Sequence, residues 1–133
     1  MRVLLSAVLA VGLIAISPAK AQAPLFDKAM HLKALPPKEV ARSLAVNQHD
    51  WNQEQFKCLG KLWGKESAWN YKAKSPTQDY GIPQRHMSHN SQQEIAKFLS
   101  DPVTQITWGL NYIKVRYGSP CEALKFHNER NWY

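Results

Sequence analysis

The sequence predicts a mainly α, single-domain protein with a loop or small β-hairpin in its middle. Three observations carry that expectation. Val103, Ile106, Leu110, Ile113 and Tyr117 recur at alternating spacings of three and four, the period of a helix buried along one face. Helix-start signals recur along the chain at Asn52, Asn90-Ser91, Asp101-Pro102 and Ser119-Pro120. Between the helical stretches, Asn70 to Gln84 holds two prolines and a glycine and no helical period. The chain of 133 residues is long enough for one modest domain and too short for two.

The first 23 residues read as a signal peptide. Met1-Arg2 is a short positive start, Val3 to Ile16 is almost wholly apolar, and Ala21-Gln22-Ala23 has small residues at both key positions of a cleavage site. The other reading, an uncleaved anchor, needs roughly 20 apolar residues, and this run is shorter. No cysteine follows the run, so a lipoprotein anchor is not expected, nor is any other stable membrane anchor. The expectation is an exported, soluble monomer: secreted, periplasmic or wall-associated.

Residues 24–36 are expected to be a loosely ordered lead-in, and residues 37–133 the domain. Over Lys38 to Val46, Val40, Ala41 and Leu44 sit at helical spacing. Asn52 then reads as an N-cap, with Gln55 placed as in a capping box. Phe56, Leu59 and Trp63 form the next stripe, and Glu66 falls on it three residues on. Asn90 or Ser91 caps a helix over Gln92 to Ser100. Asp101-Pro102 opens the strongest core helix, which Gly118 stops. Ser119 and Glu122 form the box of a last helix reaching about Asn128.

The formal charge of the chain is +7. Cleavage after Ala23 removes Arg2 and Lys20 and leaves a basic protein. A basic exported protein is drawn to anionic polymers. The cations are scattered and no nucleic-acid motif is present, so no nucleic-acid partner is expected. Cys58 and Cys121 are the two cysteines. In an oxidising compartment they are expected to pair, which stabilises the fold by about 4 kcal/mol on the chain-entropy model. Neither a C-x-x-C nor an H-x-x-x-H spacing occurs, and no metal or cofactor is expected.

Glu66 carries the chemistry. A carboxyl on an apolar stripe loses hydration when ionised, so its pKa rises and it can hold a proton near neutral pH. That suits a general acid for glycosidic cleavage. The plainer alternative is a surface pair with Lys61, Lys65 or Lys72. Trp63 and Trp69, on either side, fit a sugar site or a simple core.

"LWGKESAWN", "YGIPQ" and "DPVTQITWGLNYIKVRYGSPCEAL…NWY" together resemble the lysozyme-like, transglycosylase-type domains of secreted bacterial cell-wall proteins. The likeness covers about Pro37 to Tyr133. It implies a lysozyme-like α fold and peptidoglycan glycan strands as substrate, cleaved at the MurNAc–GlcNAc β-1,4 bond. Glu66 would be the catalytic acid/base. Gly81 would mark a close approach of backbone to sugar, and Gln84 would bond near Glu66 or to substrate. Ser67, Tyr80, His127 and Asn128 complete the implied substrate contacts, with His127 standing where the family carries Tyr. Tyr133 has no role assigned by the likeness.

Two departures from the family pattern stand out. Asp79 replaces a small residue before "YGIPQ"; it is either a second carboxylate, as hydrolytic lysozymes use, or a turn residue beside Gly81, the reading preferred from sequence. "RHMSHNSQQE" replaces a Pro-Gly segment, so that His86 and His89 either touch substrate or are exposed. The leading expectation is a lytic transglycosylase forming 1,6-anhydro ends. A two-carboxylate lysozyme, a non-catalytic wall-binding or interaction protein, and a cationic antimicrobial protein are the alternatives.

Overall fold

The computed structural model of the chain describes residues 18–133. The apolar run Val3–Ile16 lies outside the described residues, while Ala21–Ala23 lies within the first helix. Six helices and one small hairpin follow in order: α1 Pro18–Ala34, α2 Pro37–His49, α3 Gln53–Ser67, β1 Asp79–Tyr80, β2 Arg85–His86, α4 Gln92–Ser100, α5 Pro102–Tyr117 and α6 Pro120–Arg130. The mainly α expectation holds. Among the described residues no helix is long and apolar enough to cross a membrane.

The lead-in is a correction. Residues expected to be loosely ordered form the second half of α1. Ala, Lys, Leu and Met dominate residues 27–34, and all four are strong helix formers. Leu32 and Leu35 pack against the core, while Leu25 and Met30 stay exposed. From Asp27 to Ala34 only Leu32 packs on the core, so this stretch lacks the repeated stripe that reveals the other helices.

α2 buries Val40, Ala41, Leu44 and Ala45. It runs past the expected end at Val46 and closes at Asp50, whose left-handed backbone (φ 54°) lets the Trp51 N–H return to the Ala45 carbonyl at 3.1 Å. Asn52 caps α3 as expected, its side chain accepting from the Glu54 and Gln55 backbone N–H groups. The other half of the box is different. Gln55 Oε1 accepts from the Cys121 N–H at 2.9 Å, so the residue joins α3 to the first turn of α6. Next to it, Cys58 and Cys121 are bonded across 63 positions. Ser91 and Glu94 do form a reciprocal capping box, and Asp101 caps α5 through the Val103 and Thr104 N–H groups.

α5 is the core axis. Ile106, Leu110 and Ile113 are fully buried, together with Leu59, Leu62 and Trp63 of α3. Gly109 sets the distance between them, since a methyl group there would overlap the Trp63 ring and Pro83. Gln105 is the buried polar residue of this helix. Its Nε2 donates to the Tyr71 and Phe98 carbonyls at 2.9 Å and 2.8 Å, and its Oε1 accepts from the Ile82 N–H at 2.9 Å. Those bonds fasten the Tyr80–Gln84 loop to α5. The hairpin itself is short, pairing Asp79 with His86 and Tyr80 with Arg85.

Gln105→Leu keeps volume and removes the donors and the acceptor, stranding the Ile82 N–H and the Tyr71 carbonyl and leaving the Phe98 carbonyl only its long bond from the Asp101 N–H. The expected loss is about 3 kcal/mol, with a lower denaturation midpoint and an unchanged denaturant slope. A loss below about 1 kcal/mol would show that the loop is held by other contacts.

Candidate active site

Glu66 lies in the last turn of α3 and opens onto a cleft of about 530 Å³. The same cleft is lined by Asp79 and His86 of the hairpin, Gln84 of its loop, Trp108 and Tyr112 of α5, and Trp132 and Tyr133 beyond α6. The Glu66 side chain keeps 15% of its surface exposed, open to a ligand but poorly hydrated. Burial, reinforced by the Asp79 charge, pushes its carboxyl up to about 7.

None of the neighbouring lysines pairs with it. The partner is His127 of α6, with Nε2 at 2.7 Å from Glu66 Oε1. Such a contact is an ion pair only if the imidazole is charged. Burial and the Lys65 ammonium both push His127 below its ordinary value, while Glu66 is pushed up. Each shift favours an uncharged partner. The contact is therefore a hydrogen bond to an uncharged imidazole and not a fixed ion pair, and Glu66 itself titrates near pH 7.

Asp79 stands in a different environment. Burial alone would raise its pKa, but hydrogen bonds from Thr77, Ser75 and His86 outweigh it and hold the carboxyl below its ordinary range. Ser75 Oγ donates at 2.9 Å and His86 Nδ1 lies 2.9 Å from Oδ1. The bonds from Ser75 and Thr77 tie Asp79 to the turn that precedes it, Ser75 to Gln78. Asp79 sits on β1 with its side chain on the cleft. The two carboxyls share a cleft with their proton affinities moved in opposite directions.

The other residues singled out from sequence divide. Gln84 lines the cleft, and its Nε2 donates to the Gly81 carbonyl at 2.9 Å. Gly81 adopts φ 74°, and a methyl there would overlap the buried Gln105 amide. The close approach it permits is to that protein side chain. Ser67 Oγ donates to the Ile82 carbonyl at 2.8 Å, tying the end of α3 to the loop. Tyr80 packs with Met87, Ile95 and Phe98 and lies outside the cleft lining. Asn128 and His89 are exposed and lie outside the cleft lining, whereas His86 is in it. Trp63 and Trp69 are core: Trp63 is fully buried and Trp69 packs edge-on against it at 5.3 Å. Among the described residues, no group of three or more His, Cys, Asp or Glu converges as a metal site.

Sequence reasoning missed the aromatic wall. Trp108 and Tyr112 stack at 5.1 Å, four residues apart. They are offset by two from Ile106 and Leu110, about 200° around the helix, on the side away from the main stripe. An aromatic pair at that offset was the available signal. Tyr133 completes the wall. Its hydroxyl accepts from Trp63 Nε1 at 2.8 Å and donates to the Pro83 carbonyl at 3.0 Å. Burial is the main reason its phenol is held well above the ordinary value.

The Glu66 shift is also a statement about stability. Its folded pKa lies above the ordinary 4.5, so the folded state prefers the neutral acid. That preference favours folding fully below pH 4.5 and is lost as pH rises through about 7. Glu66→Gln, which stays neutral, is expected to exceed the parent in stability by on the order of 2 kcal/mol at pH 8, with the margin closing toward pH 4. Denaturation midpoints across that range measure it; a pH-independent difference would mean that the carboxyl has an ordinary pKa.

The transglycosylase SLT domain model matches residues 45–128, from the end of α2 to His127-Asn128. No curated protein and no solved structure matches the chain. The matched span exceeds half the chain and contains Glu66, Asp79, Gln84 and His127. The chain therefore belongs to the transglycosylase SLT domain family, a lysozyme-like α fold of peptidoglycan-cleaving, lytic-transglycosylase type.

Proposed function

We propose that the protein cleaves the MurNAc–GlcNAc β-1,4 bond as a lytic transglycosylase, with Glu66 first as acid and then as base. The observation that carries this reading is the state of Glu66: it is a cleft carboxyl that retains its proton up to about pH 7. The Glu66 proton passes to the glycosidic oxygen, and the C1–O bond breaks with its electron pair leaving on that oxygen. Positive charge develops at C1 of the MurNAc ring. The ionised Asp79 carboxylate, held by its three donors, stabilises that charge electrostatically. The C6 hydroxyl oxygen of the same sugar then attacks C1, and its proton returns to Glu66. No water is consumed, and the new end is a 1,6-anhydro ring.

In this reading His127 is a positioning residue: its contact holds the Glu66 carboxyl in one rotamer. Gln84 faces the strand from the opposite loop. The Met1–Ala23 pattern supports export and a domain beginning near Pro37. Cleavage after Ala23 would leave α1 starting at Pro24.

Asp79 favours one alternative. A carboxylate held ionised in the same cleft as a protonated one also suits a lysozyme-type hydrolase, in which it would assist attack by water. Muropeptides released from purified sacculi separate the two. Ring closure gives fragments lighter by one water than hydrolysis products and resistant to borohydride. Asp79→Asn should then reduce the rate about tenfold, since it removes only electrostatic support. Glu66→Gln should lower the rate by about 1000-fold or more in either case. Reducible ends together with a nearly dead Asp79→Asn establish the hydrolase. Release of neither fragment by active-folded protein favours a non-catalytic wall-binding role.

A further inference from the structure

Trp132 is half exposed, at 51%, and it lines the same cleft as Glu66. An indole left in water forfeits the stabilisation of burial, and an exposed apolar surface inside a cleft marks a contact to be made. The ring is nevertheless held in place. Its edge-on packing against Phe126 puts the centroids 4.9 Å apart, and the Arg116 guanidinium lies 5.4 Å from its centre.

The backbone on both sides is fixed as well. Asn131 ends α6 in the left-handed region (φ 63°), its N–H returning to the His127 carbonyl. That cap turns the chain back toward the cleft. Tyr133 is anchored by its bonds to Trp63 and Pro83. Trp132 is suspended between two anchored residues, beside an Asn131 side chain that also lines the cleft.

We propose that Asn131 and Trp132 form a saccharide subsite, with Trp132 as a stacking platform for one pyranose ring of the strand cleaved at Glu66. The inference rests on the glycan-cleaving reading of this cleft. A β-linked N-acetyl sugar offers the matching chemistry. Its ring C–H groups form an apolar face that lies on an indole, and its rim of hydroxyl and acetamido groups meets an amide such as Asn131. A preformed platform loses little side-chain entropy on binding, which favours affinity.

The test uses the full chain in a Glu66→Gln background, bound to purified sacculi and measured by co-sedimentation. Adding Trp132→Ala should weaken binding about tenfold, and Trp132→Phe should retain most of it. A GlcNAc hexamer should compete with binding, and the loss should persist at high salt. Unchanged binding by Trp132→Ala overturns the subsite. So does a loss that vanishes at high salt, which would trace to Arg116 charge, or competition by free stem peptide in place of the oligosaccharide. The two readings separate cleanly. If Glu66→Gln still clears sacculi, the catalytic assignment fails, while a Trp132-dependent loss of binding still upholds the subsite.

Discussion

The buried amide of Gln105 is the constraint on which the cleft depends. It places a planar group with a donor end and an acceptor end inside an otherwise apolar helix face. Such a group is stable there only when both ends are satisfied. Ile82, Tyr71 and Phe98 supply those partners from segments far apart in sequence. Gly81 follows from this arrangement, because only a residue without Cβ lets the loop close onto the amide. The loop in turn carries Gln84 and orients the hairpin that brings Asp79 and His86 opposite Glu66. One side chain remote from the reacting carboxyl thus sets the opposite bank of the cleft.

The two banks treat the same functional group in opposite ways. Glu66 stands at the end of a helix whose neighbours are mostly apolar, and its one close polar partner is an imidazole that burial keeps neutral. Asp79 stands on a strand edge among two hydroxyls and an imidazole that all point at it. Burial raises the proton affinity of both, and at Glu66 it prevails; at Asp79 the donors aimed at the carboxylate outweigh it. The coupling also runs between the banks. The more firmly Asp79 is held ionised, the more its charge disfavours a second carboxylate, and the better Glu66 keeps its proton.

Much of this was legible in the sequence where the physics is local. The caps at Asn52, Ser91 and Asp101 and the stripe of α5 depend on residues three or four apart. Glu66 was legible for the same reason, as a charge on an apolar stripe. What failed was long-range. Gln55 has the spacing of a capping-box residue, but its oxygen is used by Cys121 across the helix interface. The protein partners of Gly81 and Ser67 were equally hidden: a family motif names these residues, while the Gln105 amide and the Ile82 carbonyl that they meet come from 24 and 15 positions away. Trp63 and Trp69 drew attention as neighbours of Glu66 in sequence. The aromatics that face it in space come from α5 and from the chain beyond α6, and neither position is implied by the local period.

The pairing of Glu66 with His127 owes its precision to the other end of the same two helices. Cys58 meets Cys121, and further along Glu66 meets His127, so α3 and α6 run side by side in the same direction. The contacts are spaced eight residues apart on α3 and six on α6, about 12 Å and 9 Å along the axes. With the covalent bond and the Gln55 contact fixing one end, the relative slide of the helices is set there. The imidazole then reaches the carboxyl by helix register and does not rely on a loop. Trp63, one turn before Glu66, adds a second tie. Its indole N–H is buried and needs an acceptor, and Tyr133 provides it from beyond the end of α6. A leucine could fill much of that core volume, but it could not hold the phenol. The tryptophan beside the acid therefore acts through its nitrogen: it draws the segment after α6 over the core and so builds the wall that Glu66 faces.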